Sequence, residues 1–210
     1  MSIRALFGGT FDPIHQGHID TALALLDELN IDALHLMPNS VPPHRPQPAA
    51  TAAQRLEMVK LACNTDKRLV AEDFELRSQQ PSYTVKTLQN FKQQYPQDTL
   101  LFVMGMDSLV SLDSWYQWQQ LTDLAHLVVM PRPGYELAQA SEALGHYIKQ
   151  HQCQQPGHLH QQSEGYIYLA NTPLRDISAT AIRNGLHTKN HHDTVPAAVA
   201  EYIEQQQLYR

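Results

Sequence analysis

The sequence predicts a doubly wound α/β fold: a mostly parallel sheet with helices on both faces. Three observations lead there. Short apolar runs alternate with amphipathic ones along all 210 residues. Runs that read as strands, such as "IRALFGG" and "TLLFVMG", are almost wholly apolar and end in glycine, as strands covered on both faces do. No repeat and no clear linker interrupts the order, so residues 1–210 read as a single domain.

The elements follow in order. "IRALFGG" is a buried strand closing at Gly8 and Gly9. Residues 16–29 form a helix, because Ile19, Leu23, Leu26 and Leu29 recur at spacings of three and four. "DALHLMP" (32–38) is a second strand, and the proline-rich "NSVPPHRPQPAA" after it is an extended loop. Thr51 and Gln54 have the spacing of a capping box and open the helix "TAAQRLEMVKLAC". "RLVAEDFEL" is a third strand, and Ser82 caps the helix "YTVKTLQNFKQQY". "TLLFVMG" (99–105) is the most apolar strand. Asp113 or Ser114 caps a helix "WYQWQQLTD", "AHLVVMP" (125–131) is a strand, and residues 137–150 form a helix. The Gln- and His-rich "KQHQCQQPGHLHQQSEG" reads as a mobile surface loop before the strand "GYIYLA" (165–170). Ser178 caps the short helix "ATAIRNGL", and Pro196 sits near the first turn of the last helix, "PAAVAEYIEQQQ".

Composition excludes several classes. The net charge is −6, with 12 histidines counted as neutral, so the chain is a poor binder of polyanions and no nucleic-acid partner is expected. There is no apolar run long enough to span a membrane, and the start "MSIRALFGG" lacks the pattern of a signal peptide. A cytoplasmic protein without a membrane partner is expected. Two cysteines are too few for a disulfide framework, and Cys63, on an amphipathic helix, reads as a core thiol. Whether the chain is a monomer or a homodimer is left open.

The chemistry concentrates in "GGTFDPIHQGH". A doubly wound fold binds ligands beyond the carboxyl ends of its strands, and this turn lies there. Gly8 and Gly9 let a ligand approach the backbone, and Thr10 offers a hydroxyl and an N–H group. His15 and His18, three apart at a helix start, face one side, with Gly17 between them leaving space for a flat group. The helix N-terminus adds positive potential. The sum is an anion site with two imidazoles, charged or neutral, that can bond to developing negative charge. No Gly-Lys-Ser/Thr follows, so it is not a Walker A loop, and it is not G-x-G-x-x-G. Taken alone it also suits a tight turn with capping histidines.

"GGTFDPIHQGH" resembles the T/H-x-G-H signature of the nucleotidyltransferase superfamily, and the late "ISATAIR" (177–183) resembles its second signature. Between them, "MPNSVPPHR", "PSYTVKTL", "GMDSLVSLDSWYQW" and "RPGY", with the ending "QQLYR", resemble the bacterial nicotinate-nucleotide adenylyltransferases. The resemblance covers nearly the whole chain. It implies a Rossmann-like fold and transfer of AMP from ATP to nicotinate mononucleotide, with deamido-NAD and pyrophosphate as products in NAD biosynthesis. It also implies Mg²⁺ as cofactor, held mainly by ATP phosphates and water. ATP and the mononucleotide are thus the expected small-molecule partners.

The resemblance also implies site residues. His15, His18 and Thr10 would be catalytic, on the phosphates of ATP, with Gly8, Gly9, Phe11 and Gly17 shaping the wall. Asp12 would order the turn. Gly105 and Asp107, after the most apolar strand, would meet the nucleotide, with Arg132 near its phosphates. Ile177, Ser178, Thr180 and Arg183 would hold the β- and γ-phosphates, so that the C-terminal part from about residue 178 completes the ATP site. Asn39, His44 and Arg45 would serve substrate phosphates, and the family often carries a second Asn where this chain has Ser40. Trp115 would stack on the pyridinium ring, while Tyr116 and Thr84, near helix starts, would offer N–H groups to the carboxylate. Without the family, Ser178 reads as an ordinary helix cap and Trp115 and Trp118 as core aromatics.

The remaining histidines, His151, His158 and His160 with Cys153, and then His187, His191 and His192, match no zinc spacing and read as solvated loops. Three rivals stand beside the enzyme implied by resemblance. A pantetheine-phosphate adenylyltransferase or cytidylyltransferase generally lacks the "SWYQW" and "PSYT" segments. A catalytically silent nucleotide binder need not keep both signatures. A metal-dependent hydrolase needs a carboxylate–histidine cluster that the sequence does not display.

Overall fold

The computed structural model describes residues 2–40, 47–77, 82–185 and 194–210. His44, Arg45, His187, His191 and His192 lie outside them. Among the described residues, one all-parallel sheet contains β1 (Ile3–Gly9), β2 (Leu34–Pro38), β3 (Leu69–Ala71), β4 (Thr99–Gly105), β5 (His126–Met130), β6 (Gln152–Cys153) and β7 (Ile167–Leu169). Their spatial order is β3-β2-β1-β4-β5-β7-β6. The helices are α1 (Gln16–Leu29), α2 (Ala52–Cys63), α3 (Phe74–Arg77), α4 (Thr84–Gln94), α5 (Met106–Leu109), α6 (Glu142–His151), α7 (Ala179–Gly185) and α8 (Ala197–Gln205).

Alternate strand residues face opposite sides, so one sheet serves two cores. Ala5, Phe7, Leu101 and Val103 pack with Ile19 and Leu26 of α1, Met58 and Val59 of α2, and Val199 and Ile203 of α8. Leu6, Leu100, Phe102 and Met104 pack on the other face with Leu88 and Phe91 of α4 and Leu144 and Ile148 of α6. This is the doubly wound arrangement expected from the sequence.

Four local expectations are corrected. "RLVAEDFEL" is a strand only over Leu69–Ala71; the amides of Leu76 and Arg77 then bond back to Asp73 O, and the chain closes into α3. Ser82 does not cap α4, whose N-cap is Tyr83, because the Ser82 hydroxyl is spent on the buried Glu75 carboxyl group. "WYQWQQLTD" is not one helix. Within it only Trp118–Leu121 is helical, a 3-10 turn entered through Gln117, whose φ is 51°, while Asp113 and Ser114 belong to a separate 3-10 turn, Leu112–Ser114, just before it. The two tryptophans pack on different partners, Trp115 against Phe102 and Trp118 against Tyr147. Residues 137–150 likewise split into a 3-10 turn and α6, with Ser141 Oγ capping Leu144 N.

The Gln- and His-rich segment is built into the fold rather than solvated and loose. It holds β6 at the sheet edge and a 3-10 turn over Pro156–His160. The His151 Nδ1 lies 2.8 Å from Gly165 O and the His160 Nε2 2.9 Å from Leu29 O, each ring N–H donating to a carbonyl. Cys63 is half-buried, and burial pushes its thiol up to about 12.

Candidate active site

Strand register brings the site together. Gly8 and Gly9 of β1 pair with Met37 and Pro38 of β2, and Gly105 of β4 pairs with Met130 of β5. The residues following those ends, Thr10, Asn39, Asp107 and Arg132, therefore emerge at one edge of the sheet. Chain order reverses between β1 and β4, the topological switch point where such sheets bind ligands. A cavity of about 1060 Å³ opens there. It is lined by Gly8, Gly9, Thr10, Phe11, His15, Gly17, His18, Asn39, Thr84, Gly105, Asp107, Trp115, Tyr116, Arg132, Ile177 and Arg183, all singled out from the sequence.

His15 is the N-cap of α1, and its ring stacks on that of His18 with centroids 3.6 Å apart. The His15 backbone N–H donates to His18 Nδ1 at 3.2 Å, which leaves the His18 proton on Nε2. Burial, with the Arg132 charge, lowers His15 to about 4. Burial, then the His15 and Arg132 charges, hold His18 well below its ordinary value. Of the two states allowed by the sequence, the structure therefore selects neutral imidazoles, which act as hydrogen-bond donors. Gly17 has a second reason beside the expected one: a Cβ there would stand 3.1 Å from His15 Nδ1 and 3.4 Å from Arg175 Cβ. The glycine seats the His15 ring and also lines the cavity.

Arg132 is the guanidinium whose charge reaches the imidazoles. Arg132, Arg175 and Arg183 all line the cavity. Arg132 pairs with Asp107 at 2.9 Å, and Arg175 with Asp20 at 2.9 Å. Asp107 Oδ1 is buried and has no hydrogen-bond partner in the protein, so that oxygen is open to a ligand donor or a hydrated cation. Among the described residues, no group of three or more His, Cys, Asp or Glu side chains converges to cage a metal.

The Gly-rich turn is clamped from four directions. Asp12 is buried, and its carboxylate accepts from Ala49 N at 2.8 Å, Ala50 N at 3.0 Å and the Tyr209 hydroxyl at 2.8 Å. Arg183 donates to Asp12 O at 2.6 Å, and the fully buried Arg55 donates to Thr10 O at 2.9 Å. With every Asp12 oxygen engaged, the residue orders the turn and is not placed as a base.

The opposite wall is aromatic. Trp115 is half-buried, edge-on to Phe102, and Tyr83 and Tyr116 lie with ring centroids 4.9 Å apart. Thr84 is the first residue of α4, as expected. Tyr116 is not at a helix start; it lies between the two 3-10 turns, so its N–H group is a loop amide without a helix dipole behind it.

Two expected residues are absent from the lining. Ser178 Oγ accepts from Ala181 N at 3.1 Å, and Thr180 Oγ1 accepts from Arg183 at 3.2 Å. The cavity wall there is made by Ile177, Ala179 and Arg183.

The sequence profile described as cytidylyltransferase-like matches residues 6–185. A protein of Idiomarina loihiensis named "Probable nicotinate-nucleotide adenylyltransferase" is 53% identical over 207 residues, 99% of each chain. One of the same name from Yersinia pestis is 46% identical over 211 residues, covering 100% of this chain and 96% of its own. The chain belongs to the nicotinate-nucleotide adenylyltransferases. The fold agrees: the structure of Plasmodium falciparum nicotinic acid mononucleotide adenylyltransferase in complex with NaAD superposes with a TM-score of 0.75 at 18% identity, covering 100% of this chain and 98% of that one.

The sequence reading missed four residues of the site and its supports. Arg55 left a signal: it stands on the apolar stripe Arg55, Met58, Val59, Ala62, a cation at a core position of a helix. Tyr209 lay within the "QQLYR" ending but without a role, and Glu75 and Arg175 left no signal, because neither stands in a periodic pattern with its partners.

Proposed function

We propose that the chain transfers the AMP part of ATP to nicotinate mononucleotide, with its residues in the following roles. A phosphate oxygen of the mononucleotide attacks the α-phosphorus of ATP, the new P–O–P bond forms, and the bond to the β-phosphate breaks to release pyrophosphate. The nucleophile arrives as an anion, so no protein base or protein nucleophile is needed. The task is to hold two anions in line and to spread the charge gathered in the transition state.

The observation that carries this reading is the stacked, neutral His15–His18 pair beside three arginines at the switch point. His18 Nε2–H would donate to an α-phosphate oxygen, and Thr10 and the Gly8–Gly9 backbone would hold the adjoining phosphates. Arg132 and Arg183 would balance the leaving pyrophosphate. Trp115 would stack on the pyridinium, with the amides of Thr84 and Tyr116 directed at its carboxylate. Mg²⁺ would enter with ATP, bound by its phosphates and water, where it neutralises phosphate charge. Asp107 Oδ1, hard and unpartnered, suits a water of that ion.

A pyrophosphate-release assay with ATP and nicotinate mononucleotide, nicotinamide mononucleotide or phosphopantetheine tests the reading. The acid nucleotide should give the highest kcat/KM, and chelation by EDTA should stop release. Greater turnover with phosphopantetheine, or none with any of the three, would overturn it.

A further inference from the structure

Glu75 is a buried carboxyl group in the cavity wall, 6% exposed, with no part in the reaction as described. It belongs to the single turn α3, which sits between the end of β2 and the start of α4. Three donors meet it: the Ser82 hydroxyl, the Thr87 hydroxyl at 2.9 Å, and the backbone N–H of Ser40. Ser40 directly follows Asn39, and Ser82 precedes Tyr83 and Thr84. Asn39, Ser82, Tyr83 and Thr84 all line the cavity.

We propose that Glu75 is a positioning residue for the mononucleotide: its carboxyl group ties the β2 exit to the first turn of α4 and so sets Asn39 and Thr84 as one rigid recognition wall. The proposal rests on the function above, since it assigns that wall to the pyridine nucleotide rather than to ATP.

The chemistry favours a positioning role. An acid group facing a nicotinate carboxylate would repel it, unless its own charge is spent inward. Here both oxygens are engaged by protein donors, which spend its charge inward, while burial raises its pKa. Among the described residues, the Glu75 side chain bridges the two segments, in a place where a buried, fully bonded polar group imposes geometry. Its loss leaves three donors facing an empty site and frees both segments to move.

The test compares Glu75→Ala and Glu75→Gln with the unaltered protein, measuring both Michaelis constants by pyrophosphate release. Glu75→Ala should raise KM for nicotinate mononucleotide about tenfold or more, with KM for ATP within about twofold. Glu75→Gln should return the first KM close to its original value, because its amide oxygen accepts as before and the Ser82 hydroxyl can turn to accept from its NH₂ group. Equal rises in both KM values, no rise in either, or no rescue by Gln would overturn the proposal. Should Glu75→Ala fail to fold, Thr87→Val and Ser82→Ala each remove one donor. Either should raise the KM for the mononucleotide alone, and no change in both refutes the idea. An unaltered protein that does not use nicotinate mononucleotide overturns the assigned function and this proposal with it; one that does, with an unaffected Glu75→Ala, overturns only the proposal.

Discussion

Acidification should unfold this protein in part through His15. Its imidazole is 6% exposed, stacked on His18 and faced by the Arg132 charge, so its folded-state value falls from 6.5 to about 4. The unfolded chain takes up a proton near the ordinary value, while the folded one refuses it until about 4. Within that window the unfolded state binds more protons, and stability falls as pH falls. The difference in pKa corresponds to about 3 kcal/mol once both states are protonated, and to about 2 kcal/mol at about pH 5. The perturbation is His15→Asn, which removes the titration and keeps a residue suited to an N-cap. Urea unfolding of both proteins at about pH 7.5 and about pH 5 gives the two free-energy differences. The unaltered protein should lose at least about 2 kcal/mol more than the variant, since removing the His15 charge also relieves His18 and so adds to the difference in the same direction. An equal loss in the two proteins would refute the buried, neutral state of His15.

Three other outcomes are expected. Tyr209→Phe removes one of the donors to the Asp12 carboxylate, a charge-assisted bond worth about 1.5–3 kcal/mol, so the Tm should fall by several degrees in calorimetry and kcat should drop; an unchanged Tm would show that the C-terminus does not hold the turn. Gly105→Ala places a Cβ 2.5 Å from Asp107 Oδ1, which must swing away and break its pair with Arg132; KM for ATP should rise while the Tm changes little, and an unaltered KM would remove Asp107 from the ATP site. Trp115→Ala should raise KM for nicotinate mononucleotide much more than KM for ATP, and equal effects would remove the stacking role.

What the sequence by itself determined was whatever repeats along the chain or acts over one turn. The alternation of apolar strands with amphipathic helices was legible because period and burial coincide, and the doubly wound sheet followed from it. The His15–His18 spacing placed both rings on one side, and the Thr51–Gln54 capping box formed as read, with Gln54 N donating to Thr51 Oγ1 at 3.3 Å. The tertiary structure decided what depends on partners far away in sequence. It cut the expected helix "WYQWQQLTD" down to the single turn Trp118–Leu121 behind a left-handed Gln117, and it took Ser82 from α4 to serve Glu75. It gave the Gly-rich turn its clamps at Arg55, Arg183 and Tyr209, the last a residue 197 positions from Asp12. It also set the charge state of the imidazoles, since desolvation depends on how many atoms surround a ring and not on which residues adjoin it in sequence.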